Sequence, residues 1–163
     1  MFEGEIKVVK KEKESEIPFE LLLLADPSLE LLKTYLKQGS LFQAEIGQEI
    51  VGVVLLLEIN LATLEVKNIA VAESHQGKGL GKELLKFSEA HAIKEGYSVL
   101  RIATGNSSIG QLALYQKMGF EISDIQKGFF TRNYQDPIWE HGIQCKHLLV
   151  LEKRISISPH KSE

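Results

Sequence analysis

The residues from Glu65 to Lys82 carry the densest set of groups able to do chemistry. A strand-like run, Glu65-Val66-Lys67-Asn68-Ile69-Ala70-Val71-Ala72, passes through Gln76-Gly77-Lys78-Gly79-Leu80-Gly81-Lys82 into a helical pattern. Glycines at 77, 79 and 81 clear the backbone of Cβ atoms, so consecutive N–H groups can converge on an anion where the helix begins. The turn is built as a phosphate cradle. Two familiar glycine-rich cradles nonetheless fail on spacing. A P-loop requires Gly, four residues, then Gly-Lys-Ser/Thr, whereas Gly81-Lys82 is followed by Glu83 and has Gln76 five places before it. A dinucleotide fingerprint counted from Gly77 or Gly79 finds Lys82 or Leu84 where its third glycine belongs.

The spacing that holds is Gln-x-x-Gly-x-Gly, filled by Gln76, Gly79 and Gly81. A second local pattern follows: Asn106, then Leu114-Tyr115-Gln116-Lys117-Met118-Gly119-Phe120. With these two markers the sequence resembles the GNAT superfamily of acetyl-CoA-dependent N-acetyltransferases, and the resemblance runs to about Arg154. It implies that the loop amides hold the pyrophosphate of coenzyme A. Gln76, Gly77, Lys78, Gly79, Leu80, Gly81 and Lys82 are then the cofactor contacts, with Ile69, Ala70 and Val71 on the preceding strand and Asn106 near the pantetheine arm. It also implies that Tyr115, four residues before Gly119-Phe120, faces the thioester sulfur and protonates the departing thiolate. The amide of Val71 or a neighbour is the implied oxyanion donor. Glu65, eleven residues before Gln76, has the spacing of the catalytic glutamate of histone-type members. Many small-molecule members use water instead, and Glu65 by itself is equally a solvated strand residue. The stretches 21–28, 104–108 and 142–145 resemble uncharacterised family members from Bacillus and related bacteria.

The implied chemistry is transfer of an acetyl group from a thioester to a primary amine. Neutralising a lysine-like ammonium at neutral pH costs roughly 4–5 kcal/mol, so a general base, Glu65 or a water chain, is required. Plainer readings stand beside each residue: Tyr115 as an aromatic at the core edge, Asn106 as a helix cap, and His91 as a packed core histidine. Four other histidines, at 75, 141, 147 and 160, have no ligand spacing with Cys145 or one another, so no metal is expected. Cys145 near His141 and His147 is a weaker, covalent alternative. The competing function is a non-catalytic acetyl-CoA sensor or scaffold, but a pure binder needs only the cradle, and both Tyr115 and Glu65 are in place.

Composition narrows the partners. The 163 residues carry a net charge of −3 without a basic block, which disfavours nucleic acid and leaves an amine unrepelled. The single cysteine cannot form an internal disulfide, and Leu21 to Leu24 falls far short of a membrane span. A cytoplasmic protein is expected.

The elements that must position the turn read in order as a strand from Gly4 to Val9, a charged run to Glu16, and an apolar turn from Ile17 to Leu24. A helix follows, capped by Asp26-Pro27 and closed by Gly39, with Leu29, Leu32 and Leu36 inward. Alternation from Phe42 to Ile46 and the apolar run Ile50 to Leu57 predict a hairpin with a doubly buried second strand, and Leu64 to Ala72 the strand entering the turn. Beyond the helix closed by Gly96, a strand over Val99–Ala103, a loop at Thr104-Gly105-Asn106, a helix with Ile109, Leu112 and Ala113 inward, and strands over Phe120–Phe130 and Gln144–Leu151 complete the pattern. The predicted class is α/β (α+β): a GNAT fold with a mixed sheet of about seven strands and about four helices, one domain over 1–154 and a flexible tail over 155–163. By the same resemblance the acceptor enters between Pro18–Gln38 and Phe129–Gly142. Phe129, Phe130, Tyr134 and Trp139 would be its walls and Glu20, Asp136 and Glu140 its anions, unless those aromatics pack against a second copy of the chain.

Overall fold

A computed structural model describes residues 4–11 and 16–155. Strand β1 (Ile6–Lys10) leads to helices α1 (Phe19–Ala25) and α2 (Leu29–Gln38), then to strands β2 (Ser40–Ile46), β3 (Glu49–Glu58) and β4 (Thr63–Val71). A 3-10 turn over Glu73–His75 precedes helix α3 (Leu80–Lys94). The rest is β5 (Val99–Gly105), α4 (Ile109–Lys117), β6 (Glu121–Gln126), α5 (Phe129–Asn133), a small hairpin of β7 (Ile138–Glu140) and β8 (Ile143–Cys145), and β9 (Leu148–Arg154). Seven strands form one sheet in the order β1-β2-β3-β4-β5-β9-β6, with β4–β5 parallel and the other pairs antiparallel. Among the described residues this is the mixed seven-stranded sheet the sequence predicts, with five helices where about four are expected.

Each sheet face has its own core. Phe42, Val54, Leu56, Val66, Leu100 and Ile102 pack with Leu80, Leu84 and Leu85 of α3 and Tyr115 of α4. On the opposite face Leu41, Val53, Leu55 and Ala70 pack with Leu22 of α1 and Leu32 of α2. Strand β3 serves both faces, and for that reason its sequence is an unbroken apolar run from Val51 to Leu56, all buried.

Two irregularities in β4 open the sheet where the glycine turn begins. Its parallel pairing with β5 stops after Glu65–Arg101 and Val66–Ile102, while its pairing with β3 continues to Val71. From Lys67 onward β4 therefore has an open edge facing Ala103–Gly105. The second irregularity is a bulge: Leu56 lies opposite Val66 but Leu55 opposite Asn68, leaving Lys67 as the extra residue. A bulge shifts the alternation by one. Leu64 and Val66 belong to the α3 side before it, and Ala70 belongs to the α1–α2 side after it.

Several local expectations are corrected. Helix α2 is capped by Ser28, whose hydroxyl accepts from Leu31 N at 3.2 Å, and not by Asp26, which instead accepts from Ser28 N. Gly39 has an extended φ of −108°, so it is no left-handed terminator; a Cβ there would lie 2.7 Å from the Leu56 carbonyl oxygen. Leu29 is exposed, and Tyr35 joins Leu36 on the inner side. Strand β5 runs on through Thr104 and Gly105. Helix α4 turns Leu112, Leu114 and Tyr115 inward and leaves Ile109 and Ala113 exposed. The strand predicted to run to Phe130 ends at Gln126, and the chain from there to β9 holds α5 and a hairpin whose two-residue turn, His141-Gly142, has φ of 55° and 75°. Paired positive φ values suit the twist of a tight hairpin. The charged run at 12–15 and the tail at 156–163 lie outside the described residues, while Ile155 donates its N–H to Ser98 O at 3.0 Å.

Candidate active site

The glycine turn folds as the start of α3. Gly79 is the N-cap in the left-handed conformation (φ +88°), and Gly77 is also left-handed (φ +76°). A Cβ on either would meet nothing within 4 Å, so both positions border open space rather than packed protein. No side chain caps the helix, and its first free N–H groups, on Leu80, Gly81 and Lys82, are left for an anion. The Gln76 amide donates to Val71 O at 2.9 Å, tying the loop to the end of β4. The cleft over this turn has a volume of about 540 Å³ and is lined by Ile69, Ala70, Val71, Gln76, Gly77, Gly79, Leu80, Gly81 and Lys82. A long, narrow polyphosphate cofactor fits such a surface: amides at one end, an open strand edge beside it.

A second cavity, of about 330 Å³, lies on the other side of the open edge. Its walls include Asp26, Tyr35, Glu65, Lys67, Asn68, Phe129, Phe130, Tyr134, Glu140 and Cys145. Leu24, Ala25, Ile69, Gln111 and Tyr115 line both spaces, so cleft and cavity meet at Tyr115. The Tyr115 ring is 4% exposed and tilts against Phe120 with centroids 6.2 Å apart. Burial pushes its hydroxyl well above the ordinary phenol value. The hydroxyl therefore stays protonated across the neutral range.

The cavity's charges are tightly committed. Glu65, 3% exposed, has Lys67 Nζ at 3.5 Å and Arg101 Nε at 3.3 Å, the latter without hydrogen-bond alignment. The Lys67 ammonium lies 4.4 Å from the centre of the Tyr35 ring. Glu140 accepts from the hydroxyls of Ser107 and Ser108, both at 2.9 Å. Tyr134 donates to Asp26 at 2.9 Å; burial first, then the Asp26 charge, pushes this phenol up. Burial likewise pushes the Cys145 thiol up, against a hydrogen bond with Ser107. His147, the histidine a reactive Cys145 would need, accepts from Gly128 N through Nδ1. A buried thiol of raised pKa makes a poor nucleophile.

Some expected residues do not line either space. Lys78 is exposed on the loop. Asn106 spends its side chain elsewhere: Oδ1 accepts from Lys146 N and His147 N at 2.8 and 2.9 Å, and Nδ2 donates to Gln144 O at 3.1 Å. It pins the β8–β9 connection and does not cap α4, whose N-cap is Ser108. Trp139 is 62% exposed and lies outside the cavity, as do Glu20 and Asp136. Sequence reasoning missed Gly110, Gln111 and Leu114 of α4 on the cofactor side, and Asp26, Tyr35, Lys67 and Asn68 on the other. His91 is a packed histidine as expected, stacked on Phe87 at 5.9 Å and edge-on to Phe42 at 5.0 Å. Among the described residues no three His, Cys, Asp or Glu side chains group as a metal site would require, and no helix is long and apolar enough to cross a membrane.

A mixed sheet split between β4 and β5, with a glycine-rich helix start on one side of the split and a buried tyrosine at its centre, is the arrangement that the acetyltransferase resemblance implies. The pattern of the Acetyltransferase (GNAT) family matches residues 11–120. The chain is 44% identical over 146 residues to the Uncharacterized N-acetyltransferase YvbK of Bacillus subtilis, covering 90% of this chain and 94% of that one. Among solved structures it is similar to a GNAT family acetyltransferase from Elizabethkingia anophelis with acetyl-CoA bound (TM-score 0.90, 48% identity, 91% of this chain and 97% of that one). A Bacillus subtilis acetyltransferase in complex with CoA is also similar (TM-score 0.88, 42% identity, 93% and 100% covered). The chain belongs to the GNAT acetyltransferase family. It is an N-acetyltransferase, and acetyl-CoA is its cosubstrate.

Proposed function

We propose that the chain moves the acetyl group directly from acetyl-CoA to a primary amine held in the smaller cavity. The observation that carries this reading is the meeting of the two spaces at a buried tyrosine hydroxyl. Bound acetyl-CoA supplies the activated acetyl thioester. The amides of Leu80, Gly81 and Lys82, with the Lys82 ammonium, hold its pyrophosphate, and the open edge of β4 receives the pantetheine arm.

Along that edge the N–H directions follow from the ladder. Ala72 N donates to Val51 O across the β3 side, so by alternation the N–H groups of Val71 and Ile69 point to the open edge. Val71 N–H is thus supported as the donor to the thioester oxygen as negative charge builds there. The amine nitrogen forms its bond to the acetyl carbon, the carbon–sulfur bond breaks, and Tyr115 gives its proton to the leaving sulfur. The proton lost by the amine goes to Glu65 or to a water chain. Asn106 acts by holding the wall behind the arm rather than by touching it.

The test is an amine panel with free-thiol release as readout. Amine-dependent release above the hydrolysis rate is expected for at least one small amine; release that no amine accelerates refutes the reading.

A further inference from the structure

Asn68 follows the β4 bulge directly and is 4% exposed. Its Nδ2 donates to Leu22 O of α1 at 3.0 Å. A carbonyl can only accept, so this bond fixes which way the carboxamide faces. Oδ1 is left buried with no hydrogen-bond partner. Buried acceptors are rarely left so, and each one calls for an explanation. Gln43 Oε1 and Arg101 Nε are also without a hydrogen bond, but neither residue lines the cavity, whereas Asn68 does.

The surroundings specify what that oxygen would meet. Three carboxylates, of Asp26, Glu65 and Glu140, line the cavity; with the Lys67 ammonium on its wall and the Arg101 guanidinium 3.3 Å from Glu65 the balance is still negative, which leaves a cationic guest unrepelled. At about 330 Å³ the cavity stands at the small end of ligand sites and suits a small molecule or a single side chain. The carboxylates already have Tyr134, Lys67, Ser107 and Ser108 as partners.

Resting on the acetyltransferase reading above, we propose that Asn68 Oδ1 seats the N–H of a small primary amine whose apolar or aromatic body lies against Phe129, Phe130 and Tyr134. A neutral acceptor has a chemical advantage here. A carboxylate at this point would favour the protonated ammonium, while a carboxamide oxygen orients the nitrogen and lets its proton leave. Asn68 is thus an acceptor-binding residue, set in place by the bulge.

The experiment compares the wild type with Asn68→Leu and Asn68→Asp, using phenylethylamine, tyramine and cadaverine as acceptors and calorimetry for coenzyme A. Both variants lose the Nδ2 bond to Leu22, but only Asn68→Asp keeps a side-chain oxygen that can accept at this position. Asn68→Leu should raise the KM of the accepted amine about tenfold or more, equivalent to about 1.4 kcal/mol, with coenzyme A affinity unchanged, and Asn68→Asp should keep KM near the wild-type value. Should Asn68→Leu not fold, Asn68→Ala takes its place with the same expected rise. An unchanged KM in the leucine or alanine variant overturns the proposal. So does an equal rise in Asn68→Asp, which would make the Leu22 bond the residue's whole role. Wild-type protein that releases no thiol with any of the amines refutes the small-amine acceptor of the reading above and the proposal with it, a result distinct from either variant outcome.

Discussion

Replacing Tyr115 by Phe removes one oxygen from the point where the two spaces meet and nothing else. The ring is buried against Phe120 and keeps its packing. The hydroxyl has no hydrogen-bond partner among the described residues, so its loss strands no other group, and the melting temperature should hardly move. The kinetic cost can be worked from the leaving group. A thiol like that of coenzyme A has a pKa near 8.5, so at about pH 7.5 departure as the free thiolate forgoes roughly one unit, about 1.4 kcal/mol or tenfold in rate. General acid catalysis typically contributes 10²–10⁴-fold, which sets the ceiling. The expected fall in kcat therefore lies between about tenfold and about ten-thousandfold, with acetyl-CoA affinity intact. Because burial raises the Tyr115 pKa, the wild-type acid stays protonated well into the alkaline range, and the deficit of the variant should narrow as the medium passes the thiol pKa. Steady-state kinetics across pH, with calorimetry for the cofactor, read both quantities. A variant with wild-type kcat but weakened acetyl-CoA binding would show that Tyr115 holds the cofactor and donates no proton.

Gly79→Leu should lower coenzyme A affinity about tenfold or more, since it forces a side chain into a left-handed position that borders the cleft; unchanged affinity in calorimetry would refute the cradle. Glu65→Gln separates a base from an anchor: loss of a base lowers kcat with the melting temperature held, whereas loss of the Lys67 and Arg101 pairing lowers the melting temperature with kcat unmoved. His91 has its pKa held below the ordinary histidine value, chiefly by burial, with Glu95 opposing and Lys94 and Lys10 adding to the shift. The unfolded chain then takes up the proton first, near pH 6.5, so the stability owed to the neutral ring is present above about pH 6.5 and lost as pH falls below it. Thermal melts from neutral to about pH 5.5 should drop less steeply for His91→Phe; equal slopes would refute the assignment.

The glycine turn at the start of α3 was legible because it is local, whereas Tyr115 was singled out by the family resemblance and its burial between the two spaces follows from the fold. The sheet was legible because β3 is buried on both faces and must read as a continuous apolar run. Asn68 was not legible. Strict alternation from Leu64 and Val66 would turn Asn68 toward α3, and it reaches the opposite face only because pairing with β3 makes Lys67 a bulge, a property of two strands together. Asn106 had the spacing of an arm contact but found closer partners at Gln144, Lys146 and His147, some 40 residues away in sequence. The α5 helix and β7–β8 hairpin were missed although His141-Gly142 carried a turn signal, since a non-glycine at positive φ is uncommon.

A bisubstrate ligand, coenzyme A joined through its sulfur and an acetyl bridge to the nitrogen of phenylethylamine, spans cleft and cavity at once. Measured by calorimetry, it should bind about a hundredfold or more tighter than coenzyme A alone, and both Gly79→Leu and Asn68→Leu should weaken it. Affinity equal to that of coenzyme A, insensitive to Asn68→Leu, would contradict the account that the two spaces form one active site.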